Sequence, residues 1–453
     1  MANILAETDT APESILALTF TDSAVTAMRE RLRQYIGSRA YRVTIATFHS
    51  FAAEIIRQYP DSYEHITGAR PASDIERITI IEDILKNPDF KLLRPAGDPG
   101  YYIKPLLGQI SELKREYVVP EQLAQIIARE EAVLTDIPRY HESGAHKGKE
   151  RGEYQKKAKQ IEKNRELLAV YQQYQAALQT ARLFDYDDMI TETIAVLEQQ
   201  EDVLRDLQEM YQYILADEHQ DVNGSQNQLL TLLASYHDQP NIFAVGDEKQ
   251  AIYRFQGASL ENFLAFTDAY ADTTTIALTT NYRSGQTILD AAHSLIAVPD
   301  GPLKDLRLPL TAHTDNDSAV VVQEFSHEAV EDAWVVDSVA ELIEAGTDPA
   351  EIAVIVRTNK EVESYACDLR AAGVPTSASA ESDILTHPLT LEVRNLITAV
   401  VTPADESALF AVLHGSYWGI EAGDLVKVLQ ARSLAEPLAN LVANQDVLQS
   451  LGV

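Results

Sequence analysis

Two adjacent carboxylates, Asp217 and Glu218, follow the apolar run Tyr213-Ile-Leu-Ala216. A short apolar run that ends in acids is the pattern of a buried parallel strand whose carboxyl end faces a ligand crevice. Paired acids there suit phosphoryl transfer: one holds magnesium, directly or through water, and the other orients or deprotonates the attacking water. The same pair would equally well end a strand in a solvated acidic turn, so alone it decides nothing. Downstream, Asn241-Ile-Phe-Ala-Val-Gly-Asp247 has the same form and runs into Glu248-Lys-Gln250-Ala-Ile-Tyr253-Arg-Phe255. Gln250 at that junction is a candidate γ-phosphate sensor, beside Tyr253 and Phe255 as a base-stacking platform. Thr275 to Leu278 reads as a further strand, leading into Asn281-Tyr282-Arg283-Ser284. An arginine at such a junction can neutralise charge on a transferring phosphoryl group, although a single arginine is more often a surface or salt-bridge residue.

These residues need a sheet to hold them. Ile15 to Phe20 reads as a strand, Thr21-Asp-Ser as an N-cap cluster, and Ala24 to Tyr35 as a helix with Ala24, Ala27, Met28 and Leu32 on one face. Val43 to Phe48 repeats the unit, with His49-Ser50 leading into a helix from Phe51 to Tyr59. Both strands end in Thr-Phe and run into a polar turn, so amides and hydroxyls at neighbouring strand ends form an edge suited to phosphate contacts. Phe20 and Phe48 are stacking candidates there. The alternative, core aromatics at strand ends, is preferred for Phe48 and not for Phe20. From Pro60 to Gln200 the periodicity is helical and no strand is expected; Tyr101 to Tyr117 and Glu121 to Leu134 read as helices. The acids of Leu183-Phe-Asp-Tyr-Asp-Asp-Met189 are expected to cap the next helix. His146 to Arg165 carries eight Lys and Arg against three acids. That run either grips a phosphate backbone or is a solvated helix face, with equal weight on each.

The formal net charge of -32 argues against a protein that coats nucleic acid by bulk electrostatics, yet leaves room for a groove that is locally neutral or basic. The single Cys367 excludes an intramolecular disulfide, and no apolar run approaches membrane-spanning length, so a reducing, cytoplasmic setting is expected. A Pro-, Asp- and Thr-rich stretch from Ala297 to Asp317 marks a boundary. Beyond it Val320 to Phe325 and Glu351 to Val356 read as strands around a helix from Ala329 to Glu344. Glu361 to Ala372 reads as a helix, and Leu385 to Val453 as helical throughout.

Ile15-Leu-Ala-Leu-Thr-Phe-Thr21, Thr47-Phe-His-Ser50, Asp217-Glu-His-Gln-Asp221, Gly246-Asp-Glu-Lys-Gln250-Ala-Ile-Tyr253 and Asn281-Tyr-Arg-Ser284 stand in an order that resembles the UvrD/Rep/PcrA family of superfamily-one DNA helicases. Ile352-Ala-Val-Ile-Val-Arg357 resembles the start of that family's second motor domain. The resemblance implies an α/β fold: a RecA-like P-loop NTPase motor domain with a parallel sheet, interrupted by a helical insertion, and part of a second RecA-like domain. The implied boundaries are 1–58 with 206–280 for the first motor domain, 59–205 for the insertion, 281–384 for the second motor domain and 385–453 for its own insertion.

It implies ATP and Mg2+ as ligands, with Asp217 on magnesium, Glu218 acting on water, Gln250 and Arg283 at the γ-phosphate and Tyr282 stacked on adenine. Thr19, Phe20, Thr47, His49, Tyr253 and Phe255 would line a track for single-stranded DNA. The implied partners are single strands and duplex/single-strand junctions, with other repair proteins and no membrane. The implied activity is ATP-dependent 3′-to-5′ helicase movement in repair, replication or recombination.

This sequence departs from the family pattern in places. Gly-x-Gly-Lys-Thr/Ser occurs nowhere in it, and the family's last two motifs are missing. Phe255 stands where tryptophan is usual, Gln256 where arginine is usual and His219 where phenylalanine is usual. The expectation is therefore a stretch truncated at both ends that binds ATP poorly by itself. The rival readings are a non-catalytic DNA- or partner-binding protein derived from a helicase, and part of a RecB- or AddA-like helicase–nuclease.

Overall fold

The computed structural model describes all residues except 96, 142, 144–146, 238, 252–265, 267–269, 271–272, 297–307, 316–317, 379–387, 403–405, 416–419 and 432–453. The chain divides into two compact units, Met1–Ala319 and Val320–Val453.

The first unit opens with a short helix α1 (Ala2–Glu7) and a 3-10 turn, then β1 (Ile15–Thr19), all five residues of which are buried. Burial on both faces is what a central parallel strand requires, and explains why its sequence is continuously apolar up to Thr19. Helix α2 (Asp22–Ile36) starts where Thr21 Oγ1 accepts from the amide of Ala24, at 3.2 Å. Strand β2 (Thr44–Thr47) leads directly into α3 (Phe48–Gln58), capped by Thr47 Oγ1 accepting from the amide of Ser50.

The insertion contains one feature that its helical periodicity hid. A two-residue strand β3 (Arg70–Pro71) precedes helices α4 (Asp74–Leu85), α5 (Ile103–Arg115), α6 (Pro120–Asp136) and α7 (Gly152–Thr180). It pairs in parallel with β4 (Leu183–Phe184), Arg70 opposite Leu183. The expectation of no strand between Pro60 and Gln200 is thus corrected. Two-residue strands carry no period, and their pairing is a long-range event that a local pattern cannot report. Ile81, Leu106, Ile110, Leu123, Ile127, Tyr171 and Tyr174 give the insertion a core of its own. Part of the basic run is spent inside it: Lys157 pairs with Glu130 and Arg165 with Glu131, joining α7 to α6, and Lys163 Nζ lies 4.3 Å from the centre of the Tyr102 ring.

Helices α8 (Tyr186–Gln199) and α9 (Glu201–Met210) return the chain to the sheet. Then come β5 (Tyr213–Ala216), α10 (Gly224–Ala234) and β6 (Ile242–Ala244). The sheet order is β2-β1-β5-β6, all parallel, with Ile15 opposite Tyr213 and Ile214 opposite Ile242. Side chains alternate across it. Leu16, Leu18, Ile214 and Ala216 join α3, α8, α9 and α10 in the larger core, whereas Ile15, Ala17, Val43 and Ile45 pack under α2. A separate parallel pair, β7 (Thr280–Asn281) and β8 (Thr311–Ala312), follows in the same unit.

In the second unit helices Glu328–Glu344, Asn359–Ala371, Pro388–Val401, Glu406–Leu413 and Ala422–Ala431 match the helical reading, whose stretch 432–453 lies outside the described residues. The strand reading of Val320 to Phe325 and Glu351 to Val356 is not met. Neither segment forms a ladder among the described residues, and Val322 and Ile355 are 89% and 92% exposed. Thr275 to Leu278 likewise forms none. Apolar, β-branched runs report a preference for extended backbone; a strand also needs a partner edge.

The acids after β4 do cap α8, since Asp185 and Asp188 form a reciprocal capping box, but they also do more. Lys114, on the buried stripe Leu106–Ile110–Lys114 of α5, lies between them, with Nζ 2.7 Å from Asp185 Oδ2 and in contact with Asp188 Oδ1. Burial opposes the charge on Lys114, but the two carboxylates outweigh it and hold the ammonium well above the ordinary lysine range. Burial pushes the Asp188 carboxyl up to about 7, with Asp185 adding to the rise and Lys114 opposing it. Lys114→Met strands two buried acids without a counter-ion and is expected to cost about 3–5 kcal/mol of stability. The deficit is greatest at and above neutral pH and narrows on acidification, as Asp188 and then Asp185 take up protons. Denaturant unfolding across pH 5–8 checks both the size and the sign.

Candidate functional site

The ladder continues past the last regular residue of β5. The amide of Asp217 donates to the Leu18 carbonyl at 2.9 Å on one side, and that of His219 donates to the Val245 carbonyl at 2.8 Å on the other. Glu218, between them, is pinched into the left-handed region (φ +49, ψ 44), uncommon for a residue with a side chain. Its carboxyl is exposed while Asp217 is half-buried. Burial raises the Asp217 carboxyl above its ordinary range, and the neighbouring Glu218 charge raises it further.

A 3-10 turn, His219–Asp221, follows. His219 is buried and edge-on to Phe266 at 5.2 Å, and burial keeps its imidazole below the usual histidine range. Asp221 Oδ1 is shielded and has no hydrogen-bond partner; burial, then Glu218, pushes this carboxyl up to about 6. Gln220 is buried and donates to Glu218 Oε2 at 2.7 Å.

After β6, Asp247 caps a 3-10 turn, Glu248–Gln250, in which Gln250 Nε2 donates to Asp247 Oδ2 at 3.0 Å. Burial works to raise Asp247, but hydrogen bonds from Lys249 and Gln250 prevail and hold it low. Gln250 is thereby joined to the Asp217–Glu218 strand end through Asp247 and Gln220. Tyr282 and Arg283 follow β7, both exposed; the Tyr282 ring lies 4.7 Å from that of His313, and Asn281 Oδ1 accepts from the amides of Arg283 and Ser284. Tyr253 and Phe255 lie outside the described residues, as does Gln256.

The ends of β1 and β2 bring Thr19, Phe20, Thr47, Phe48 and His49 to one open cavity of about 450 Å3. Phe48 is core, only 2% exposed, whereas Phe20 is partly exposed. Thr19 lines the cavity although fully buried, and its shielded hydroxyl has no hydrogen-bond partner. Burial lowers the His49 imidazole, with Asp187 opposing, so it is neutral near pH 7.

The far wall comes from the insertion and from α10: Arg77, Ser111, Arg115, Tyr186, Asp187, Asn223 and Ser225. Arg115 pairs with Asp187 at 3.2 Å and Arg77 donates to the Tyr174 hydroxyl at 3.2 Å. Cations and anions nearly balance there, so this wall escapes the acidity of the whole chain. Sequence reasoning missed that wall. Its one local signal was Lys114, a charge on an apolar stripe, which demands buried acids nearby. The wall is held close by Gly224, where a Cβ would meet Glu116 Oε2 at 2.6 Å and Glu116 Cα at 3.1 Å.

Magnesium suits this strand end. Burial and then the neighbouring Glu218 raise the cost of the Asp217 charge, and a cation would lower it. Among the described residues no cluster of three or more acids, histidines or cysteines could cage a metal.

Parallel strands with their acids and polar turns gathered at one end have the architecture of a RecA-like motor fold. A family profile described as the UvrD/REP helicase N-terminal domain matches residues 1–271, and one described as the UvrD-like helicase C-terminal domain matches residues 276–448. The chain belongs to the UvrD/PcrA-like DNA helicase family. It is 31% identical over 363 residues to the ATP-dependent DNA helicase PcrA of Staphylococcus aureus, covering 80% of this chain and 44% of that protein. To the Bacillus subtilis protein of the same name it is 28% identical over 434 residues, covering 94% and 52%. The chain thus spans about half the length of the curated relatives it matches. No helix among the described residues is long and apolar enough to cross a membrane.

Asp221→Asn removes a buried carboxylate that is costly to ionise. The folded carboxyl titrates near 6 and the ordinary one near 3.8, so the ionisation penalty builds as pH rises between those values and is constant above. The variant is expected to melt higher than the parent at pH 7.5, with the gap closing towards pH 4. Melting curves at the two pH values measure it; an equal or lower midpoint at pH 7.5 contradicts the burial argument.

Proposed function

We propose that this chain carries part of the machinery of an ATP-dependent 3′-to-5′ DNA helicase that steps along single-stranded DNA in a cytoplasmic repair, replication or recombination role. The observation that carries this reading is a juxtaposition. The Asp217 amide donates to the Leu18 carbonyl, so the strand end bearing the carboxylates is hydrogen-bonded to the strand that delivers Thr19 and Phe20 to the cavity. A change at one is felt at the other through a single ladder.

In this reading Asp217 holds the Mg2+ of bound ATP, whose charge offsets that of the phosphates. Glu218 positions and deprotonates the attacking water. Gln250 and Arg283 meet the γ-phosphate, and Tyr282 stacks on adenine. Phe20 offers a stacking face, and Thr19, Thr47 and His49 supply polar contacts, with Tyr253 and Phe255 extending the track. The cavity's balanced wall admits a phosphate backbone that the -32 charge would otherwise repel. The natural partners are single strands and their junctions with duplex, along with repair proteins acting on them. The proposed division has 1–58 and 206–280 as the first motor domain, 59–205 as its insertion, 281–384 as the second motor domain and 385–453 as its insertion.

In the native protein, Glu218→Gln is expected to abolish DNA-stimulated ATP turnover while leaving nucleotide binding within a few-fold, because the carboxylate acts on water rather than on affinity. Steady-state hydrolysis near the parent rate would sink the assignment.

Single-strand binding by the 453-residue chain tests the cavity. Phe20→Ala should weaken it roughly 5- to 150-fold at every salt concentration, the worth of one stacked base. Neutralising the exposed Lys156 and Lys159 should leave the salt slope nearly unchanged, because Lys157 and Arg165 are engaged with α6 and the exposed pair is read as a solvated helix face. Fluorescence anisotropy with a labelled oligonucleotide reads both; a slope that falls by about two would put the insertion's lysines on the phosphates instead.

A further inference from the structure

We propose that Gln220 is a positioning residue that joins the Glu218 carboxylate to the turn carrying Gln250; this rests on the reading above. Gln220 is 2% exposed, and each end of its amide has a defined partner. Nε2 donates to Glu218 Oε2 at 2.7 Å, and Oε1 accepts from the amide of Asp247 at 3.0 Å. A carboxylate only accepts and a backbone N–H only donates, so the amide has one possible orientation. The chain of bonds continues, since Asp247 Oδ2 accepts from Gln250 Nε2 at 3.0 Å and Oδ1 from the amide of Lys249 at 3.1 Å.

The consequence is mechanical. Glu218 is exposed on a left-handed residue, and its side chain would otherwise rotate freely. The Gln220 donor fixes one oxygen and leaves the other for water. When Gln250 turns from Asp247 towards a phosphate, Asp247 loses a donor, its turn relaxes, and Gln220 carries the change to Glu218. Neither leucine nor glutamate can serve both partners. Leucine has no polar end, and glutamate keeps the acceptor for Asp247 but sets a second carboxylate against Glu218.

The test uses DNA-stimulated ATP hydrolysis by the native protein. Gln220→Leu is expected to lower kcat roughly tenfold to a hundredfold, the scale of a misplaced catalytic group, with KM for ATP and single-strand affinity within about twofold. Gln220→Glu should lower kcat similarly while preserving slow hydrogen exchange at the Asp247 amide, which Gln220→Leu accelerates. Combining Gln220→Leu with Gln250→Ala should be clearly less than additive, because both act through Asp247.

Three outcomes overturn the assignment: parent-like kcat in both variants, additive losses in the double variant, or KM and DNA affinity failing together with kcat, which marks a merely structural residue. If the unsubstituted protein hydrolyses no ATP, the functional reading falls and takes this inference with it; if it does, only Gln220 is in question.

Discussion

Everything at the site hangs on the parallel ladder running on past Ala216. Two backbone bonds, from Asp217 to Leu18 and from His219 to Val245, clamp the chain on either side of Glu218. With its neighbours fixed by different strands, Glu218 has no extended conformation left and takes the left-handed one. Strain of this kind, on the order of 1–3 kcal/mol, persists only where surrounding structure over-determines the backbone. Here the surroundings are a fully buried β1 and a core on each face of the sheet.

A second constraint works from the opposite wall. Lys114 with Asp185 and Asp188 ties α5 to the start of α8, and Gly224 lets α10 approach Glu116 at the end of α5. Together they hold Arg115, Ser111, Tyr186 and Asp187 against the ends of β1 and β2. A buried ion pair is a weak source of net stability but a demanding one of geometry, because neither acid tolerates losing the lysine. The insertion is thus registered to the sheet by charge at one contact and by backbone proximity at another.

Much of the first unit was legible because its signals are local. The apolar run before Asp217, the caps at Thr21 and Thr47 and the βα alternation all sit within a few residues of what they determine. The positions of the strand ends could therefore be read, and Phe48 could be told from Phe20 as the core ring. What could not be read is long-range. Arg70 pairs with Leu183, Lys114 finds Asp185, and Gln220 accepts from Asp247 across another strand's turn, and none of these leaves a period in the sequence. Val320 to Phe325 fails for the complementary reason. It has every local mark of a strand, but among the described residues it finds no edge to pair with.

The insertion also governs how the chain can be made. Central strand β1 pairs with β5, roughly two hundred residues later, and Ser62 meets Gln200 where the chain leaves the sheet and comes back. At ribosomal rates of about 5–20 residues per second, one edge of β1 waits roughly 10–40 s for its partner. Throughout that interval an apolar strand with unpaired amides is available to any other extended chain. The insertion, with its own core, can fold during the wait and draw its two ends together, which shortens the loop that β5 must close. Assembly of the strand end that bears Asp217 and Glu218 is thus a late event in the life of the polypeptide, timed by a segment that contributes no strand to the sheet.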